Sequence, residues 1–98
     1  MPKIILQGHI VVPETDLPEV EAELPRHIEL TKAEKGCLDF QVTQSLENKR
    51  IFTVYEEFID RAAFEYHQQR VKKSYWGTMA VNVERHYRIS EIDCPEAQ

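Results

Sequence analysis

Two helix–strand junctions of opposite order constrain this chain more than any other feature. The first, Thr31-Lys32-Ala33-Glu34-Lys35-Gly36-Cys37-Leu38-Asp39-Phe40, reads as a helix that ends at Gly36 and a strand that starts at once. The second, Tyr55-Glu56-Glu57-Phe58-Ile59-Asp60-Arg61-Ala62-Ala63-Phe64, closes on His67 and reads as a strand ending near Phe58 and a helix capped by Asp60. Glycine just past a helix and aspartate just before one are the expected punctuation, because each answers the backbone groups a helix end leaves unpaired. Between the junctions, Leu38, Phe40 and Val42 alternate with Asp39, Gln41 and Thr43; Ser45 to Lys49 is polar, and Ile51 to Phe58 is rich in β-formers. So short a connection permits only an antiparallel hairpin.

Outward from the hairpin, Ile4, Leu6, Gly8, Ile10 and Val12 share one face of a strand over Lys3–Val12, and Ile5, Gln7, His9 and Val11 share the other. Both faces are largely apolar, which predicts a central strand covered on two sides. Asp16-Leu17-Pro18-Glu19 has capping-box spacing, with Asp16 as the cap. Leu17, Val20, Leu24, Ile28 and Thr31 then recur at helical spacing. Pro25 removes one backbone bond, and the phase of the stripe across it predicts a bend rather than an end. Past Asp60, the inner stripe is Ala63, Phe64, His67 and Val71, and Tyr75-Trp76-Gly77 closes the segment. Ala80–Ile89 reads as a fourth strand, with Val81, Val83, Tyr87 and Ile89 set against Asn82, Glu84, His86 and Arg88. The order β-α-β-β-α-β is the ferredoxin-like α+β pattern, with both helices on one face of a four-stranded antiparallel sheet. The other face then needs a cover, and a second copy of the chain, in a homodimer, is the expected one.

Ninety-eight residues make one domain over 1–98, with its core at about 3–90 and a polar tail at 91–98. A net charge of −5 with mixed signs argues against nucleic acid or an anionic membrane as the partner, since both require a basic face. Apolar stretches are too short to span a bilayer, and no signal-peptide pattern opens the chain. Cys37 and Cys94 lack metal-ligand or CxxC spacing and fit a reduced, cytoplasmic protein, with Cys94 a free thiol and Cys37 a small buried hydrophobe. Three polar groups, His27, Glu56 and His67, fall on faces that are otherwise apolar.

The chain resembles the antibiotic biosynthesis monooxygenase family of small dimeric α+β-barrel proteins. The resemblance is carried by His27, by Thr31-x-x-Glu34-x-Gly36-Cys37-Leu38-x-Phe40, and by Phe52-x-Val54-Tyr55-Glu56-x-Phe58-x-Asp60-x-Ala62-Ala63-Phe64-x-x-His67, and it spans about Ile4 to Ile89. Phe58 stands where many members carry Trp. The haem-degrading branch pairs a first-strand Asn with a nearby Trp; here Gln7 is the nearest first-strand amide, and no Trp stands near Phe58. The resemblance implies a small-molecule substrate, dioxygen as co-substrate, and no metal, flavin or haem. The residues agree, with no GxGxxG after a strand, no HExxH and no Cys/His cluster.

A cofactor-free oxygenase deprotonates an electron-rich quinol or phenol, and the anion passes an electron to dioxygen. The protein supplies a base, donors and a dry pocket. His67 is the candidate base, since imidazole titrates near neutrality; its plain alternative is a core histidine bonded to a backbone carbonyl. Glu56 is the candidate orienting acid, or else an ion-pair partner of Arg26 or Arg61. His27 completes the candidate catalytic set, against a surface-edge alternative. His9 and His86 read as sheet-face or interface residues, and Trp76 and Tyr75 as helix-end anchors or a pocket mouth. An isomerase or a non-catalytic ligand-binding protein would use the same scaffold, because fold does not choose chemistry.

Overall fold

The computed structural model describes residues 2–92, and the Cys94 thiol with the rest of the tail lies outside them. The elements are β1 (Lys3–Val11), α1 (Leu17–Lys32), β2 (Cys37–Gln44), β3 (Ile51–Phe58), α2 (Arg61–Lys72), α3 (Tyr75–Met79) and β4 (Glu84–Ile92). The strands form one antiparallel sheet in the order β2-β3-β1-β4, which is the ferredoxin-like topology the sequence predicts. Among the described residues no helix is long and apolar enough to cross a membrane.

Register decides what the helices cover. Ile4, Leu6 and Ile10 lie beside Phe58, Glu56 and Phe52, so one sheet face presents an apolar row broken by a single carboxylate. Phe40 pairs with Glu56 from the other side. Val20 from α1 and Phe64 from α2 close over this row. The opposite face carries Gln7, His9, Thr53, Tyr55, His86 and Arg88, a mixed surface rather than the largely apolar one expected.

Three local expectations are corrected, at Asp16, Gly36 and the fourth strand. Asp16 precedes α1 but makes no capping bond, because a 3₁₀ turn over Glu14–Asp16 leaves its backbone helical (φ −94°, ψ −8°), where the side chain cannot fold over the helix end. Pro25 does not end α1, as the phase of the stripe predicts: the helix runs through it with the ring exposed to solvent. Gly36 is not the residue that turns α1: Ala33 takes that position in helical geometry. Its role is space, since a Cβ on Gly36 would sit 2.2 Å from the Cβ of Ala63 on α2. The fourth strand begins at Glu84, not Ala80, and runs on to Ile92, paired with Lys3. Residues 75–79 form α3 instead, capped by Ser74, whose hydroxyl accepts from Gly77 N–H at 3.2 Å. The turn that follows is held by Arg85, which donates to the carbonyls of Ala80 and Val83 at 3.2 Å each. Asp60, by contrast, caps α2 as predicted, accepting from Ala63 N–H at 2.8 Å.

Candidate functional site

Burial, not proximity in sequence, assembles the site. His67 on α2, Glu56 on β3, His27 on α1 and Glu34 in the turn between α1 and β2 are all at least nine-tenths buried. Such groups need partners, and the partners define the chemistry. His67 Nδ1 lies within hydrogen-bond distance of Glu34 Oε2, at 3.0 Å, and its Nε2 faces Glu56 Oε1 at 3.8 Å. Arg70, one turn on from His67, donates Nε–H to the same Glu34 oxygen at 2.5 Å and a second N–H to Thr31 Oγ1 at 3.0 Å. The Thr31 hydroxyl donates in turn to the His27 carbonyl at 2.8 Å. Phe58 and Phe40 flank the His67 ring, with centroids at 5.0 and 6.0 Å. The His27 ring stacks on Trp76 at 4.4 Å with an 8° tilt between planes. Among the described residues, three buried side-chain atoms are left without a hydrogen bond: His27 Nδ1, Glu34 Oε1 and Glu56 Oε1.

Burial, and then the nearby Glu34 carboxylate, push the Glu56 carboxyl up to about 8, so it carries its proton at neutral pH. Burial lowers His27 to about 3, with His67 and Arg70 adding repulsion, so it is neutral. Burial also lowers His67, while its hydrogen bond to Glu34 acts the other way. The 3.8 Å approach of His67 and Glu56 is therefore between two neutral groups at pH 7, not an ion pair. Tyr87 is 37% exposed as a residue, yet its hydroxyl behaves as a buried group, pushed up to about 12 by burial and then by Glu56.

A cavity of about 40 Å³ lies between helices and sheet, lined by His27, Phe40, Glu56, Trp76, Arg85 and Tyr87, among others. At about 10–15 Å³ per water, it holds a few waters or a dioxygen but not an aromatic ring. A groove of about 250 Å³ between the helices, lined by Glu23, Arg26, Leu30 and Arg70, lies outside it. His27 and Trp76 line both spaces, so their stacked rings form the partition. The largest hollow, about 950 Å³, is a wide depression on the opposite sheet face. It touches none of the buried histidines and carboxylates, of which His27 and Glu56 line the inner cavity. Among the described residues no His, Cys, Asp and Glu side chains group as metal ligands.

The three residues singled out from sequence thus lie together. The partners expected for Glu56 do not join them: Arg26 lies 3.9 Å from Glu23, and Arg61 pairs with Glu91. Glu34 takes the role of carboxylate partner, to His67 rather than to Glu56. It was legible, because His27, Thr31 and Glu34 fall on one helical face, three to four residues apart. His9 and His86 stack across strands on the outer face at 4.7 Å, as sheet-face residues. Trp76 is a cavity wall within α3; Tyr75 is exposed and donates its hydroxyl to Glu19. Cys37 is half-buried, and burial raises its thiol.

The sequence profile described as antibiotic biosynthesis monooxygenase matches residues 3–72. No curated protein matches the chain at a significant level. Solved structures share the fold. A candidate antibiotic biosynthesis monooxygenase from Bacteroides thetaiotaomicron superposes with a TM-score of 0.74 at 19% identity, over 96% of this chain and 90% of that one. One similarly described from Nitrosomonas europaea gives 0.69 at 16% identity, over 97% and 99%. A conserved protein from Methanosarcina mazei gives 0.67 at 25% identity, over 93% and 91%.

Proposed function

The chain belongs to the antibiotic biosynthesis monooxygenase family, and from that premise we propose that it is a cofactor-independent monooxygenase acting on a small phenol or quinol with dioxygen. The observation that carries the reading is the buried acid–base pair: an imidazole 3.8 Å from a carboxyl that burial keeps protonated and that lines a small, mostly apolar cavity. Two titratable groups whose surroundings push them to opposite protonation states are what acid–base chemistry at neutral pH requires.

In this reading His67 Nε2 accepts the phenolic proton. The phenolate gives one electron to dioxygen, and the resulting radical pair joins at the open ring carbon para to the oxygen, forming a peroxide. His67 passes its proton to the peroxide and, neutral again, removes the proton on that carbon while the O–O bond of the hydroperoxide breaks. Glu56 protonates the departing hydroxide, and His67 returns the proton to Glu56. One oxygen atom stays in the ring as a quinone carbonyl, the other leaves as water, and the four electrons lost by the phenol are the four gained by dioxygen. The cavity already has room for the dioxygen. The ring reaches it by parting the His27–Trp76 stack from the groove side. A second copy of the chain covers the outer sheet face.

Dioxygen uptake with a panel of para-unsubstituted phenols is the test. Uptake matched one to one by quinone, and lost in His67→Ala, supports the reading. Conversion of a ligand without dioxygen consumption would assign the same acid–base pair to an isomerase and overturn it.

A further inference from the structure

The proposed chemistry uses one nitrogen of His67, and the state of that nitrogen is decided at the other. We propose that Glu34, clamped by Arg70, is a positioning residue that holds the proton of His67 on Nδ1 and so keeps the Nε2 lone pair turned toward Glu56 and the cavity. The inference rests on the reading of His67 as the base, and it adds two residues to which no role in the reaction has been given.

The geometry leaves little freedom. Glu34 Oε2 receives both the imidazole Nδ1 at 3.0 Å and the Arg70 Nε at 2.5 Å. A carboxylate oxygen is an acceptor, so Nδ1 must bring the proton. The other tautomer would set a nitrogen lone pair against a carboxylate oxygen at that distance, which is repulsive. A proton on that oxygen would have to share it with the Arg70 Nε–H, which needs an acceptor there. Arg70 is itself fixed, because its second contact is Thr31 Oγ1, whose own proton goes to the His27 carbonyl. A directed chain of bonds thus runs from the backbone of α1 to the imidazole on α2.

A pin between two helices would not need this arrangement. Both donors converge on one oxygen and leave Glu34 Oε1 buried and bare, an unfavourable state that a carboxylate turned to solvent at the same junction would avoid. The Glu34 and His67 side chains are 5% and 3% exposed, and only Arg70 reaches the surface, at 22%. What the arrangement secures is the orientation of the ring, as carboxylate partners do for working histidines elsewhere.

The tautomer can be read without substrate. Two-bond proton–nitrogen NMR spectra of the full chain at neutral pH distinguish a protonated from a lone-pair ring nitrogen. Wild type should show His67 with a lone-pair Nε2. Glu34→Gln, whose amide oxygen can still accept, should keep that pattern. Glu34→Leu should show a mixture or a reversal. With a phenol substrate, Glu34→Leu should lower kcat roughly 10- to 100-fold with KM within about twofold, and Glu34→Gln should recover part of the loss. A wild-type His67 protonated on Nε2 would overturn the inference, and needs no variant to fold. So would a folded Glu34→Leu protein with an unchanged tautomer, or one whose tautomer changes while kcat does not. If the tautomer behaves as stated but His67→Ala remains fully active, the base assignment fails instead, and the two failures are told apart.

Discussion

Replacing Glu56 with glutamine should make the protein more resistant to alkaline conditions, and the size of the effect follows from the fold. The Glu56 carboxyl titrates at about 8 when buried here, against 4.5 in an exposed chain. Its folded value is raised, so the folded state holds a proton that the unfolded state releases, and stability is lost as pH rises from about 4.5 through about 8. At about 1.36 kcal/mol per pH unit, that interval corresponds to a loss of about 5 kcal/mol. His27 acts in the opposite sense: its value is lowered from 6.5 to about 3, so stability is gained as pH rises through that window. His67, also lowered, adds to the gain on the acid side. Wild type should therefore climb from pH 3, level off between about 4.5 and 6.5 where the slopes oppose, and decline toward pH 8. Glutamine keeps the shape of the neutral carboxyl and cannot ionise, so the Glu56→Gln curve should match wild type near pH 5 within about 1 kcal/mol and stand about 5 kcal/mol above it at pH 9. Urea titrations at fixed protein concentration, from pH 5 to pH 9, measure this as a diverging midpoint at constant slope. Two midpoint curves running parallel across that range would show that Glu56 is not buried as a neutral acid, and would remove the general acid from the proposed chemistry.

His67→Ala should cut turnover roughly 100-fold or more, while His86→Ala, on the outer sheet face, should leave it within about twofold; steady-state dioxygen uptake on folded variants decides both. Sedimentation at micromolar concentration should find a homodimer, because one sheet face carries no helices and a chain this short buries a modest core on its own; a well-folded monomer would refute it.

The order of elements was legible because its punctuation is local. Asp60 and the polar hairpin turn act through bonds to residues two to four positions away, and they appear where the sequence put them. The fourth strand was misplaced for the opposite reason. Val81 and Val83 alternate like a strand, but the backbone of Ala80 and Val83 is taken by α3 and by Arg85, and Val81 ends 71% exposed. Periodicity cannot see a turn stabilised by a side chain that follows it. At the site, the helical spacing placed His67 correctly and alternation placed Glu56. The sequence could not assign their partners, because pairing depends on how α1 is rotated against α2. A stripe through Ile28 leaves His27 at its flank. The observed stripe passes through Val20, Leu24 and His27, and this brings Glu34 to His67.

That rotation depends on one close contact, which makes a final prediction possible. Gly36 and Ala63 meet where the two junctions cross, and Gly36 accepts from Ile59 N–H at 2.8 Å. A methyl on Gly36 would lie 2.2 Å from the Ala63 Cβ, against about 3.5–4.0 Å for carbon atoms in comfortable contact, and that Cβ belongs to a helix that cannot yield alone. Gly36→Ala should therefore destabilise by about 1–3 kcal/mol and force α1 and α2 apart. Ala63 stands one turn before His67, and Gly36 two residues after Glu34, so the separation falls on the Glu34–His67 bond. Stability and the His67 tautomer should suffer together. Ala63→Gly alone should cost about 1 kcal/mol through helix propensity. Combined with Gly36→Ala it should restore the space, so the double variant should be more stable than the sum of the two singles by about 1 kcal/mol or more, with the tautomer recovered. Strict additivity in that cycle would mean the contact does not set the helix separation, and the link from Gly36 to the site would have to be abandoned.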